Sequence, residues 1–124
     1  MSGRRLLLDS NIIIYVAKKQ LDPGGFIQPE DELFISDISY METLGYPFSD
    51  ENEKRETTAI LDVLFRFSIE ESIVQKVVEI KQQRRIKLPD AIIAATAIVR
   101  NCAIVTRNVS DFQNFAGLVV INPM

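Results

Sequence analysis

Short runs in which every position is apolar alternate along the chain with longer stretches in which apolar residues recur every three or four positions. The first kind marks strands buried on both faces, and the second marks amphipathic helices. "RRLLLDSN" predicts a buried strand ending at Asp9, with Ser10 or Asn11 capping the element that follows. "IIIYVAKKQ" predicts a helix in spite of its β-branched isoleucines, and "LDPGGF" a turn. "ELFISD" is a second strand, and "ISYMETLGYPF" a helix stopped near Gly45 and Pro47. In 50–66, Ile60, Leu61, Leu64 and Phe65 fall at helical spacing; in 70–85, Ile73, Val77, Val78 and Ile80 do so. These two stretches predict a helical pair with no strand signal. Pro89 opens an alanine-rich helix reaching about Asn101, after which "CAIVT" and "LVVIN" predict a third and a fourth strand. Strands alternating with helices, each strand apolar throughout, specify an α/β fold with a parallel sheet covered on both faces.

Composition narrows the chemistry. At 124 residues and 47% hydrophobic, the chain is expected to be one domain, 1–124, with a core that needs no disulfide or structural metal. Its one cysteine, Cys102, lies in an apolar run and reads as a small buried hydrophobe. No apolar stretch approaches membrane-spanning length, so a soluble, cytoplasmic protein without membrane contact is expected. There is no histidine, which excludes Ser-His-Asp and Cys-His catalysis, histidine zinc sites and histidine acid–base chemistry. The formal charge of −3 argues against passive nucleic-acid binding through bulk charge.

The acids then stand out by position. Ligands of open parallel sheets bind beyond the carboxyl ends of the strands, where the following helices begin. Asp9 ends the first strand, Glu42 lies in the early turns after the second, Asp90 opens the helix before the third, and Asp111 follows the third. Each has a structural alternative: Asp9 as a helix cap, Ser39 and Glu42 as a capping box, Asp90 as a helix-dipole partner, Asp111 as a turn cap. Four carboxylates converging on one edge weaken these separate readings. Two carboxylates about 4 Å apart repel by roughly 4 kcal/mol at an effective dielectric near 20. One nearby arginine, Arg107, is too little compensation, so divalent metal or protonation is expected. All-oxygen donors suit Mg²⁺ or Mn²⁺. Thr106 and Asn108 are placed to add a hydroxyl and an amide, and Ser10 and Asn11 lie beside Asp9. Such a site suits in-line hydrolysis of a nucleic-acid backbone.

"LLLDSNIII", "ISYMETLG", "KLPDAIIAATA" and "IVTRNVSDF", in this order and spacing, resemble the PIN-domain nucleases, and most closely the VapC-type toxins of bacterial toxin–antitoxin pairs. The resemblance runs from about Leu6 to Asn122. It implies a PIN-like three-layer α/β/α sandwich with a central parallel sheet, Mg²⁺- or Mn²⁺-dependent endoribonuclease activity, a homodimer and a cognate antitoxin. The family's metal ligands carry over onto Asp9, Glu42 and Asp90. Many members have an acid two residues after the threonine, where this chain has Asn108; the fourth acid here is Asp111. Setting aside the four acids brings the formal charge from −3 to +1. Arg84, Arg85, Lys87 and Arg107 then become candidates for holding RNA phosphates.

Other classes fit less well. A phosphoacceptor receiver domain needs an adjacent acidic pair after the first strand, and a haloacid-dehalogenase phosphatase needs Asp-x-Asp there. This chain has Asp9-Ser10-Asn11. A PIN-type RNA-processing nuclease outside a toxin pair and a non-catalytic PIN-like binding module are the remaining alternatives; the complete acid set argues against the second.

Overall fold

The computed structural model describes residues 3–124. In chain order the elements are β1 (Arg5–Leu8), α1 (Ser10–Ala17), a 3-10 turn (Pro23–Gly25), β2 (Glu32–Ser36), α2 (Asp37–Leu44), α3 (Glu51–Asp62), β3 (Phe65–Phe67), α4 (Glu71–Gln83), α5 (Leu88–Arg100), β4 (Ala103–Val105), α6 (Val109–Phe112) and β5 (Val120–Ile121). The strands form one parallel sheet in the order β3-β2-β1-β4-β5. The architecture is the expected α/β/α sandwich.

Alternation along the central strands divides the core in two. Leu7, its cross-strand partners Phe34 and Ile104, and the inward faces of α4 and α5 make one half. Leu6, Leu8, Ile35 and Val105 face the other way, onto Ile12 and Ile13 of α1 and Leu61 of α3. In α5, Ala91, Ala94, Ala95 and Ala97 are all buried. Their small side chains let that helix lie close to its neighbours while Ile93 fills the core. The helix ends in an αL residue, Asn101 (φ 58°), which turns the chain directly into β4.

The 50–85 region is not a plain helical pair. The chain leaves α3 at Asp62, and Phe65–Phe67 pairs in parallel with β2 as an edge strand. Cross-strand aromatic packing accounts for this: the Phe67 ring stacks on Phe34 at 4.5 Å, and Phe65 lies 6.0 Å from the same ring. The last apolar run is shorter than expected, since only Val120 and Ile121 pair with β4. Two caps also differ. Asp9 itself caps α1, which is the structural alternative given for it, in place of Ser10 or Asn11. Ser36 caps α2, its Oγ accepting from the Ser39 backbone N–H at 3.1 Å, so Ser39 and Glu42 form no capping box. Among the described residues, no helix is long and apolar enough to cross a membrane.

Candidate active site

The sheet carries Asp9 to its carboxyl edge and fixes it there. The Asp9 backbone N–H donates to the Val105 carbonyl at 3.0 Å, extending the β1–β4 ladder by one residue. The side chain is 5% exposed and accepts three hydrogen bonds. Thr106 Oγ1 donates to Oδ2 at 2.8 Å, Asn11 Nδ2 to the same oxygen at 3.3 Å, and the Ser10 N–H to Oδ1 at 2.8 Å. Thr106 is in turn held by the Asn108 backbone N–H, which donates to its Oγ1 at 3.0 Å. Asn108 thus contributes its main chain to this network. Ser10 also reaches the second acid, its Oγ donating to Glu42 Oε1 at 3.4 Å.

Glu42 lies in the second turn of α2, Asp90 in the first turn of α5, and Asp111 in α6, one residue before the buried Phe112. Electrostatics tie these acids to Asp9. Burial raises the proton affinity of Asp9 most, outweighing its hydrogen bonds, and the Asp111 charge adds to it. Glu42 is raised by desolvation and by the charges of Asp9 and Asp90. Asp90 is raised by desolvation, then by Asp111 and Asp9, with Lys87 opposing. Asp9, Asp90 and Asp111 therefore each act on another of the acids, and Glu42 is acted on by two, though the four are drawn from across the chain. The donors are all oxygen, the type that suits a hard divalent cation. Among the described residues, no three acids converge tightly enough to enclose an ion. The fit to such a cation thus rests on donor type and unbalanced charge.

The basic residues divide. Arg84 has a structural role: its guanidinium donates to the Gln113 and Asn114 carbonyls at 3.1 and 2.7 Å and stacks 3.7 Å from the Phe115 ring centroid. It fastens the loop before β5 and also lines the cleft that holds Asp90 and Asp111. Arg85 and Lys87 are exposed and line the same cleft, of about 290 Å³, with Asp90, Ser110 and Asp111. Arg107, also exposed, bonds the hydroxyl of Tyr15, a partner that no local sequence signal marks.

A parallel α/β sandwich that carries acids at the carboxyl edge of its central strands places its candidate site where ligands of open parallel sheets bind. Comparison with known proteins gives the family. The PIN domain family model matches residues 6–118. A chain of a toxin–antitoxin complex from Klebsiella pneumoniae is 30% identical, with a TM-score of 0.73 over 96% of this chain and 98% of that one. A chain of VapBC-1 from nontypeable Haemophilus influenzae is 26% identical (TM-score 0.74; 96% and 98% covered). A chain of VapBC2 from Rickettsia felis, solved bound to a DNA fragment from its promoter, is 21% identical and shares the fold with a TM-score of 0.79 (95% and 98% covered). No curated protein matches in sequence. The chain belongs to the PIN-domain family, a family of nucleases, and within it resembles the VapC-type toxins.

Proposed function

We propose that this protein is a metal-dependent endoribonuclease acting as the toxin of a type II toxin–antitoxin pair. The observation that carries the reading is the gathering of Asp9, Glu42, Asp90 and Asp111 at one sheet edge, where the first three are raised by burial and by the charge of other acids of the set. The antitoxin complexes among its structural relatives support the toxin role.

Asp9, Glu42, Asp90 and Asp111 would hold Mg²⁺ or Mn²⁺. A bound divalent ion supplies an activated water and neutralises charge on a scissile phosphate. The chain's own residues do the rest. Thr106, Asn11 and the Ser10 N–H orient the Asp9 carboxylate. Ser10 couples Asp9 to Glu42. Arg84, Arg85 and Lys87 line the cleft of Asp90 and Asp111 with positive charge suited to the RNA backbone. The protein works as a homodimer and is silenced by an antitoxin segment that places an arginine or lysine among the acids, substituting for metal charge.

The test is cleavage of a mixed RNA pool in Mn²⁺ or Mg²⁺, against EDTA and against Asp90→Asn. The expected products carry 5′-phosphate and 3′-hydroxyl ends and vanish in both controls. Cyclic 2′,3′-phosphate ends, or cleavage that persists in EDTA, would sink the mechanism. An antitoxin that left metal binding and cleavage unchanged would sink the proposed mode of inhibition.

A further inference from the structure

Arg107 is gripped at two points by α1. Its backbone N–H donates to Asn11 Oδ1 at 3.4 Å, while its guanidinium donates to the Tyr15 hydroxyl and lies 5.4 Å from the Tyr15 ring centroid. Asn11 and Tyr15 are four residues apart and share a helix face, so one face of α1 holds both the main chain and the side chain of the same residue. The residue before Arg107 is Thr106, which bonds Asp9. The arginine therefore starts one residue from the partner of a buried acid, beside a cluster in need of positive charge. Yet among the described residues its guanidinium forms no ion pair with a carboxylate, whereas Arg4, Arg5, Arg66 and Arg100 each do. It is turned onto the Tyr15 hydroxyl and left exposed.

We propose that Tyr15 is a positioning residue that holds Arg107 off the acid cluster and presents its guanidinium to a phosphate of the incoming RNA strand. This rests on the nuclease reading above. A guanidinium offers two parallel donors to a phosphate, and a fixed guanidinium loses less freedom on forming them. Released from Tyr15, the same side chain is drawn toward the acids. There it competes with the cation and no longer meets the substrate. One hydroxyl thus governs two affinities through one arginine.

Tyr15→Phe keeps the ring and removes only the hydroxyl. Binding of a single-stranded RNA is measured by anisotropy across a salt series in Ca²⁺, and Mn²⁺ binding without RNA by electron paramagnetic resonance. These are done for the parent, Tyr15→Phe, Arg107→Gln and the double variant, with thermal melts to show that each folds. Arg107→Gln is expected to weaken RNA binding about tenfold and lower its logarithmic salt slope by about one. Tyr15→Phe is expected to weaken both RNA and Mn²⁺ binding severalfold, and to change neither once Arg107 is glutamine. Parent-like affinities in Tyr15→Phe would overturn the proposal, as would equal losses with and without Arg107. If the parent binds no RNA while Tyr15→Phe still weakens Mn²⁺ binding through Arg107, the substrate half falls with the nuclease reading and the restraint on Arg107 stands.

Discussion

At the scale of single residues, the acids are held in a state of electrostatic tension, and the cost has a sign. Asp9, Glu42 and Asp90 all bind protons more tightly in the folded protein than their ordinary values allow. Below the ordinary carboxyl range they are protonated in both folded and unfolded chains and cost nothing. As pH rises through that range toward their raised values, the unfolded chain ionises first and stability is lost. Asp31 has the opposite sign. The Arg4 guanidinium donates to it from two nitrogens and holds its carboxyl at about 2. Its contribution is present above the ordinary range and fades as pH falls toward that value. In EDTA, the melting temperature is expected to decline from mildly acidic pH to neutrality, and Asp90→Asn to flatten that decline and melt a few degrees higher at neutral pH. A lower melting temperature for the variant would mean that Asp90 serves mainly as a helix-dipole partner. Asp9→Asn is a poorer probe, because Asp9 also caps α1 and anchors Thr106.

At the scale of elements, what the sequence made legible depended on how much of an element's pattern was its own. β1 and β2 each carry a continuous apolar run, and α5 carries both its starting proline and its alanine face, so their own residues specify them. β3 could not. Three residues with Arg66 in the middle make no apolar run, and Phe65 is 68% exposed at the sheet edge. What makes the segment a strand is the ring of Phe34, thirty-one residues earlier in the chain. The α2 cap misled for a related reason, since Ser36 and Ser39 both suit a cap and only the end of β2 decides between them. The acids were legible because their positions follow from topology. The grip of Tyr15 on Arg107 was not, because it joins two elements whose facing sides only the folded chain reveals. The end of α5 supplies a test at this scale. Asn101 sits in the αL region without glycine's freedom, so Asn101→Gly should hold or raise the melting temperature. Asn101→Ala should lower it, the alanine costing about 1 kcal/mol relative to glycine there. Equal melts for the two variants would contradict the observed backbone geometry.

At the scale of the whole molecule, the sheet works as a device for gathering charge. Its order places β1 and β4 side by side and brings the starts of α2 and α5 to the same edge. Folding therefore assembles a repulsion that a cation would relieve. A ligand that binds only the folded state stabilises it by about 2.7 kcal/mol at one hundred times its dissociation constant. Saturating Mn²⁺ is accordingly expected to raise the melting temperature of the parent and to do so much less for Asp90→Asn. The same rise in both would place the ion away from these acids.

The adjacency of β1 and β4 also has a consequence in time. Asp9 is made early, but its hydroxyl partner Thr106 follows 97 positions later, and Asp111 later still. A chain still on the ribosome, emerged as far as α4, carries Asp9 and Glu42 without Asp90, Asp111 or the strand that braces them. Under the proposed ribonuclease activity that delay is a safeguard: the growing polypeptide lacks half of its acids while its message is still being read.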